Sequence, residues 1–460
     1  MRFPAVACVL ALGAPAIAPS AVQAQRQSCD FENYGPGQYF NAGTPNEIGY
    51  FGGGVLLRCD GGTTIRADSA VRTVLNNRLE FIRNVRYADS TRTLTSNYLQ
   101  YLGQDRLIVA TGDVRLTDES GTTLIGPFLS YYLKTDTRPE EVLQMPQGRP
   151  RAIMVSAAQP DTSGAAVSAR DTTIVDANTI EIVGEDRFVG RGQVELTRGD
   201  LRTFSSQLVY REQSGLLTLS GAARAETDEY SLHADTLVAQ SAEGTTEFNE
   251  IEGRLGARLE SPDMDVTGSR IRLFLEEGEV ERLVAVGDTG ITAQQAVAIS
   301  PEFRLESDSI DALAPGQELE TVFAIGRAYG VRLTPDTLEA EQPELVRNDW
   351  VRGDTIIAHF TDPPPAEAVA DTSAPSRVLE QLDAVGTESS LASSLYRMLD
   401  RQGPDGSYAV NYLNARRITV HLLDGEVSAV EAEDAVHGLY LRPPEVQRQN
   451  DGRNAGANRQ

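Results

Sequence analysis

The chain has 460 residues, enough for about three domains of ordinary size and for a large buried core. Its 41 basic and 66 acidic side chains leave a net charge of −25, which repels phosphate backbones and argues against general nucleic-acid binding. Hydrophobic residues make up 40% and charged residues 23%, a globular composition. Three Cys, four His and a single lysine, Lys134, leave little material for a metal site or for lysine-dependent motifs.

The first 24 residues read as a secretory signal peptide. Met1-Arg2 is a short basic start, Phe3 to Ala18 is apolar, and Ala21-Val22-Gln23-Ala24 is a small-residue exit. Pro4, Pro15 and Pro19 interrupt the apolar run, which is also short for a bilayer-spanning anchor. Cleavage after Ala24 leaves Cys29 and Cys59. In an exported chain two cysteines point to a disulfide, and two unpaired thiols are the alternative. Residues 25–52, pinned through Cys29, read as an N-terminal cap.

A repeat follows. Gly112-Asp113-Val114 followed by Gly121-Thr122-Thr123-Leu124 echoes Gly53-Gly54-Val55 followed by Gly62-Thr63-Thr64-Ile65. A shorter unit recurs ten times in the form apolar, any, small, Asp-like, any, apolar. Leu232 to Leu237 is the clearest copy. The fourth positions fall at residues 68, 97, 127, 178, 206, 235, 269, 308, 354 and 416. The short spacings set a period near 30 residues, the mark of a repeat architecture. Each unit alternates with period two, so its pieces are strands. The phase changes within the unit: Leu94 and Ser96 share one parity, Leu99 and Tyr101 the other. A strand that keeps one face buried needs a corner there, so the Asp-like position marks a corner and the glycine a turn. The expected fold is mainly β: a β-solenoid of stacked coils, or an open V-shaped relative of one.

Residues 53–133 and 173–360 carry the repeat. Residues 134–172, with Pro139, Pro146, Pro150 and Pro160, read as an irregular insertion. Residues 361–404 read as a Pro-rich linker and a short helical insertion, because Val378, Leu379, Leu382 and Val385 have nearly helical spacing, as do Leu391 and Leu395. Residues 405–442 read as C-terminal strands and 443–460 as a disordered tail.

Leu-x-Ala-Asp-x-Leu at Leu232 to Leu237, alternating with Gly-x-Val at Gly112-Asp113-Val114, resembles the OstA-like family of periplasmic lipopolysaccharide-transport proteins. The match is best over about 53–133 and 173–275. The resemblance implies stacked V-shaped β-jellyroll coils with lipid acyl chains between two walls. It also implies a periplasmic location, association with the outer membrane only through partners, and other β-jellyroll proteins docked edge to edge. The chain lacks the long run of amphipathic strands that a translocon barrel requires.

The candidate lipid-binding residues follow each corner: Leu99 and Tyr101, Leu129 and Tyr131, Leu208 and Tyr210, Leu237, and Ile271 and Leu273. They line one inner wall. The plain alternative is that they fill a closed core, giving a structural or interaction β-solenoid. A third reading, a β-helical enzyme acting on polysaccharide, would use Asp68, Asp235, Asp308 and Asp354 as a carboxylate ladder. Asn97, Pro127, Asn178, Ser206 and Ser269 take their place in other copies, which suits a turn accepting backbone hydrogen bonds. The histidines lack metal-ligand spacing. No cofactor and no catalytic residue is expected.

Overall fold

The computed structural model describes residues 29–32, 35–60, 62–155, 172–242, 248–262, 264–276, 278–288, 294–301, 303–333, 348–362, 377–399, 408–423 and 426–441. The signal peptide, the tail 443–460, most of the Pro-rich linker and residues 156–171 of the insertion lie outside them.

Thirty strands among the described residues form one sheet, and every pairing is antiparallel. The reason is local. Strands of ten to twelve residues, such as Thr64–Thr73, Arg78–Ala88, Arg92–Leu102 and Leu107–Asp118, are joined by connections too short for a parallel crossover. Of the two shapes compatible with the repeat, the chain therefore takes the open V-shaped one, a β-jellyroll built as a meander of bent strands.

Each long strand bends near its middle. All ten Asp-like positions sit at these bends. Asp68 lies in the register break between Arg66 and Ser69, Asn97 between Thr95 and Tyr98, and Asp308 between the strands Phe303–Ser307 and Ser309–Leu313. Gly62 and Gly121 mark hairpin turns, as the pattern suggested, closing back on Cys59 and Asp118, but the glycines of Gly-x-Val do not. They form a second kind of corner, in the alternate strands. There two successive residues take left-handed φ: Gly112 and Asp113 at 76° and 49°, Gly192 and Gln193 at 74° and 47°, Gly221 and Ala222 at 81° and 52°. Each such pair gives its strand one residue more than its neighbours across the corner. The inward residues Ile108, Ala110, Val114 and Leu116 keep one parity there, while the Asp-like strand changes parity from Leu94 and Ser96 to Leu99, so both arms keep their apolar face inward. Glycine leads because the site is also crowded. A Cβ on Gly221 would stand 2.7 Å from Ser206 Cβ, and one on Gly112 2.9 Å from Asn97 Cβ. Facing corners are stapled by side chains: Asn84 donates to Asp68 at 2.9 Å and Asn97 to Asp113 at 2.9 Å. Arg327 Nε donates to Asp308 at 3.0 Å.

The arms make two walls. Residues 78–82, 98–102, 107–111 and 128–132 belong to the first wall. Residues 85–88, 92–96, 114–118 and 123–126 belong to the second. The walls meet at the corners and end at two lips, where the hairpins turn. Their inner faces merge into one apolar cluster from Phe51 to Ala358, followed by a second from Ala324 to Leu422.

Two expectations are corrected. The segment 377–400 is not helical: Val378–Val385 and Ala392–Leu399 are strands paired with the two arms of Trp350–Thr361. A bulge at Glu380 puts Leu379 and Leu382, three apart, on one face, which imitates a helical stripe. Leu391 lies in the corner connection, so its spacing to Leu395 is incidental. The insertion is also more regular than its prolines suggest. Val142–Met145 and Arg151–Val155 pair with the two arms of Thr123–Tyr132, and Pro146 and Pro150 bracket the corner between them. Proline is tolerated there because the ladder is already interrupted.

At the N-terminal end, Cys29–Glu32 and Gly37–Phe40 flank the two arms of Ile48–Cys59. Cys29 lies directly opposite Cys59 and is joined to it by a disulfide.

Candidate functional site

The inward positions fall into lanes that cross the strands at about 4.8 Å per step. Leu99 pairs with Ala110 and Ala110 with Leu129, in the lane nearer the corners. Further along the same lane Leu208, Leu219 and Leu237 pair in turn, then Gly253 and Ile271. A second lane, nearer the mouth, runs Tyr101, Ile108, Tyr131 and Leu143, and later Phe188, Tyr210 and Leu217, then Ile251 and Leu273. All nine candidate residues thus point inward on the first wall.

The repeat pattern alone did not single out the facing wall. There Tyr87, Leu94, Leu116 and Leu124 pair in succession, and beyond them Val175 and Leu196 and then Leu232, Leu259 and Val266. The signal was present, since Leu94 and Leu124 open their repeat units. Only the corner shows that they face Leu99 and Leu129 across a lumen.

The lumen is packed by the protein's own side chains. Leu99, Leu129, Ile271 and Leu273 are 0% exposed. The mouth is different. Tyr101 and Tyr210, with Leu79, Leu133, Phe248 and Leu275 on the same lip, are only partly buried against the cluster. Leu201, Tyr230 and Met264 do the same on the opposite lip. Burial pushes the Tyr230 hydroxyl up to about 12, with Asp200 and Glu229 adding, and it raises Tyr210 as well. Both rings therefore stay neutral and present hydroxyl-tipped apolar bodies to the mouth. Two shallow surface depressions lie away from the lumen. One is lined by Glu320, Thr321, His359, Phe360, Glu380 and Gln381, the other by Arg149, Gln193, Val194, Glu195, Phe204 and Ser205.

The corner aspartates do not converge. Asp68 accepts from Asn84 and Asp308 from Arg327, while Asp235 accepts from Thr236 at 3.1 Å. They stand several strands apart, and their partners are side chains where backbone donors were expected. Among the described residues no group of three or more His, Cys, Asp or Glu could hold a metal ion.

No family model matches the chain, and no curated protein matches it. Among solved structures it is similar to LptH of Pseudomonas aeruginosa, described as the LptA-homologous periplasmic component of the conserved lipopolysaccharide transport device. The identity is 16% over 33% of this chain and 92% of that one, with a TM-score of 0.23. A likeness that loose carries no argument about function.

Among the described residues the ends of the stack are edge strands. At the C-terminal end His437–Leu441 pairs on one side with Tyr408–Ala415 and exposes Leu439, Tyr440 and Leu441. At the N-terminal end Gly37–Phe40 exposes Tyr39 and Phe40, with Phe40 edge-on to Tyr50. Both edge strands are short, but each sets exposed apolar side chains beside edge backbone groups with which another chain can pair.

Proposed function

We propose that this chain is a non-catalytic periplasmic carrier that holds the acyl chains of an amphipathic lipid, lipopolysaccharide foremost, between its two walls. The observation that carries the reading is the pair of facing apolar lanes, which run across the stack and end at a mouth lined by half-buried aromatic and aliphatic side chains. The OstA-like repeat in the sequence supports the same reading. Acyl burial at roughly 0.8 kcal/mol per methylene supplies the affinity. The net charge of −25 keeps an anionic head in water outside the mouth. The exposed apolar edges suit end-to-end docking with other β-jellyroll proteins, through which a lipid passes along.

One observation favours a second reading, a structural β-solenoid with a filled core: Leu99 and Leu129 are fully enclosed by the protein's own side chains. Lipid uptake therefore requires the walls to part. Native mass spectrometry of the protein purified from a lipopolysaccharide-producing host decides between them. The mouth residues are the ones to change. Leu208 is 1% exposed, so a charge there would disrupt the core, whereas Tyr101→Asp and Tyr210→Asp act at the rim. Co-purified acylated lipid that disappears in these variants, with the β-type circular dichroism intact, supports the carrier. A lipid-free protein that also refuses added lipopolysaccharide supports the filled core. Binding of phosphorylated sugar heads without acylated lipid sinks the acyl-burial mechanism.

A further inference from the structure

Apolar packing joins the walls behind the mouth, and a hydrogen-bonded charged cluster spans the mouth itself. Arg92 opens the strand Arg92–Leu102 at the lip of the second wall. Tyr131, near the end of Thr123–Tyr132, and Glu141, just before Val142–Met145, stand at the lip of the first. Arg92 Nη1 donates to both the Tyr131 hydroxyl and Glu141 Oε2. The Tyr131 hydroxyl donates to the same carboxylate oxygen at 2.9 Å, and the guanidinium lies 5.1 Å from the centre of the Tyr131 ring. The Arg92 and Glu141 side chains are only 14% and 23% exposed. Beside them the buried Tyr87 of the second wall donates to Asp89 at 2.7 Å. Burial, followed by the neighbouring carboxylates, raises the Tyr87 hydroxyl; burial also raises Tyr131, against the pull of Arg92.

These bonds join the free ends of the two arms and not their shared corner. An acyl chain sliding between the walls can replace the leucine packing behind them, because apolar contact is non-directional. It cannot replace a guanidinium–carboxylate bond. We propose that Arg92, Tyr131 and Glu141 form a latch that holds the mouth shut at this coil, and that acyl chains enter the lumen sideways when the latch parts. The latch rests on the carrier reading above and assigns the entry point to the first third of the stack.

The test separates the two. Nitroxide labels at Ser90→Cys and Asp136→Cys, both exposed, report the lip separation by double electron–electron resonance. Stopped-flow fluorescence with 11-(dansylamino)undecanoic acid reports uptake. Arg92→Glu, which sets two carboxylates face to face, is expected to lengthen the lip distance and speed uptake at least tenfold. The swap Arg92→Glu with Glu141→Arg is expected to return both toward the wild-type values. Tyr131→Phe keeps the ring and gives a smaller shift in the same direction; it serves as the variant if charge reversal prevents folding. An unchanged lip distance, or parted lips with unchanged uptake, overturns the latch while probe binding leaves the carrier standing. Parted lips with no probe bound by any form overturn the carrier, and with it the latch as an acyl gate.

Discussion

Replacing Gly221 by alanine tests the reason the strands bend. Gly221 has φ of 81°, and a Cβ there would meet Ser206 Cβ and Oγ at 2.7 Å each. An L-residue in the left-handed region costs about 1–2 kcal/mol. Displacing Ser206, whose own hydroxyl donates to the Gly221 carbonyl at 3.2 Å, adds about 1 kcal/mol or more. The unfolded chain returns roughly 0.4–1 kcal/mol, because alanine is less flexible than glycine there. The net expectation is a loss of about 2 kcal/mol. Its neighbour Ala222, already at φ of 52°, supplies the control: Ala222→Gly relieves a left-handed alanine and is expected to stay within about 0.5 kcal/mol of wild type. The assay is urea unfolding followed by circular dichroism, with stability read from the midpoint at constant slope. Adding Ser206→Gly to Gly221→Ala removes the clash and is expected to recover about 1 kcal/mol as coupling. If Gly221→Ala costs under 0.5 kcal/mol, or Ala222→Gly costs as much as Gly221→Ala, the corner does not depend on the crowding described.

Other outcomes follow from the same structure. The buried hydroxyls of Tyr87, Tyr131 and Tyr230, and that of Tyr98 beside Glu80, are all held above the ordinary tyrosine range. Their unfolded forms ionise first, so stability is complete below pH 10 and falls as pH rises from 10 toward 12, by about 1.4 kcal/mol per pH unit for each buried ring. Thermal melts with a flat profile between pH 9 and 12 would contradict this. Replacing Cys29 and Cys59 by serine is expected to cost about 3–4 kcal/mol of the N-terminal coil's stability in the loop-entropy model. Hydrogen exchange should show protection lost around residues 29–32 and 55–59 and kept beyond the next coils, because neighbouring repeats contribute locally. Glu252 is buried beneath Arg254 and Arg270, with the Arg254 Nε–Oε2 and Arg270 Nε–Oε1 distances at 2.7 Å and 3.1 Å. Glu252→Ala should cost about 2 kcal/mol in the urea midpoint, since the arginines are half exposed and recover part of their hydration. A loss under 0.5 kcal/mol would make the cluster incidental.

The strand content, the repeat of about 30 residues and the corner positions were legible in the sequence, because period-two alternation and a parity change are local properties of a strand with one buried face. The pairing of Cys29 with Cys59 was legible as a possibility, and the register that places them opposite one another made it geometry. The turn role of Gly62 and Gly121 was legible, but that of Gly112, Gly192 and Gly221 was misread, since a glycine in a hairpin turn and one in a left-handed corner look alike until the ladder shows on which side of the hairpin it falls. Leu379 and Leu382 were misread because a bulge is invisible without its partner strand.

The sequence by itself determined that this is a chain of repeated, bent strands with a continuous apolar stripe and a strongly acidic surface. Those properties are carried by residue identity and short spacing. Only the tertiary structure decided that the strands run as an antiparallel meander, that Leu94 faces Leu99 across a lumen, and that Arg92 meets Glu141 over its mouth. These relations join residues on different strands or on the opposite walls that one bent strand spans. They depend on register and on the angle of the corners, which no local pattern encodes.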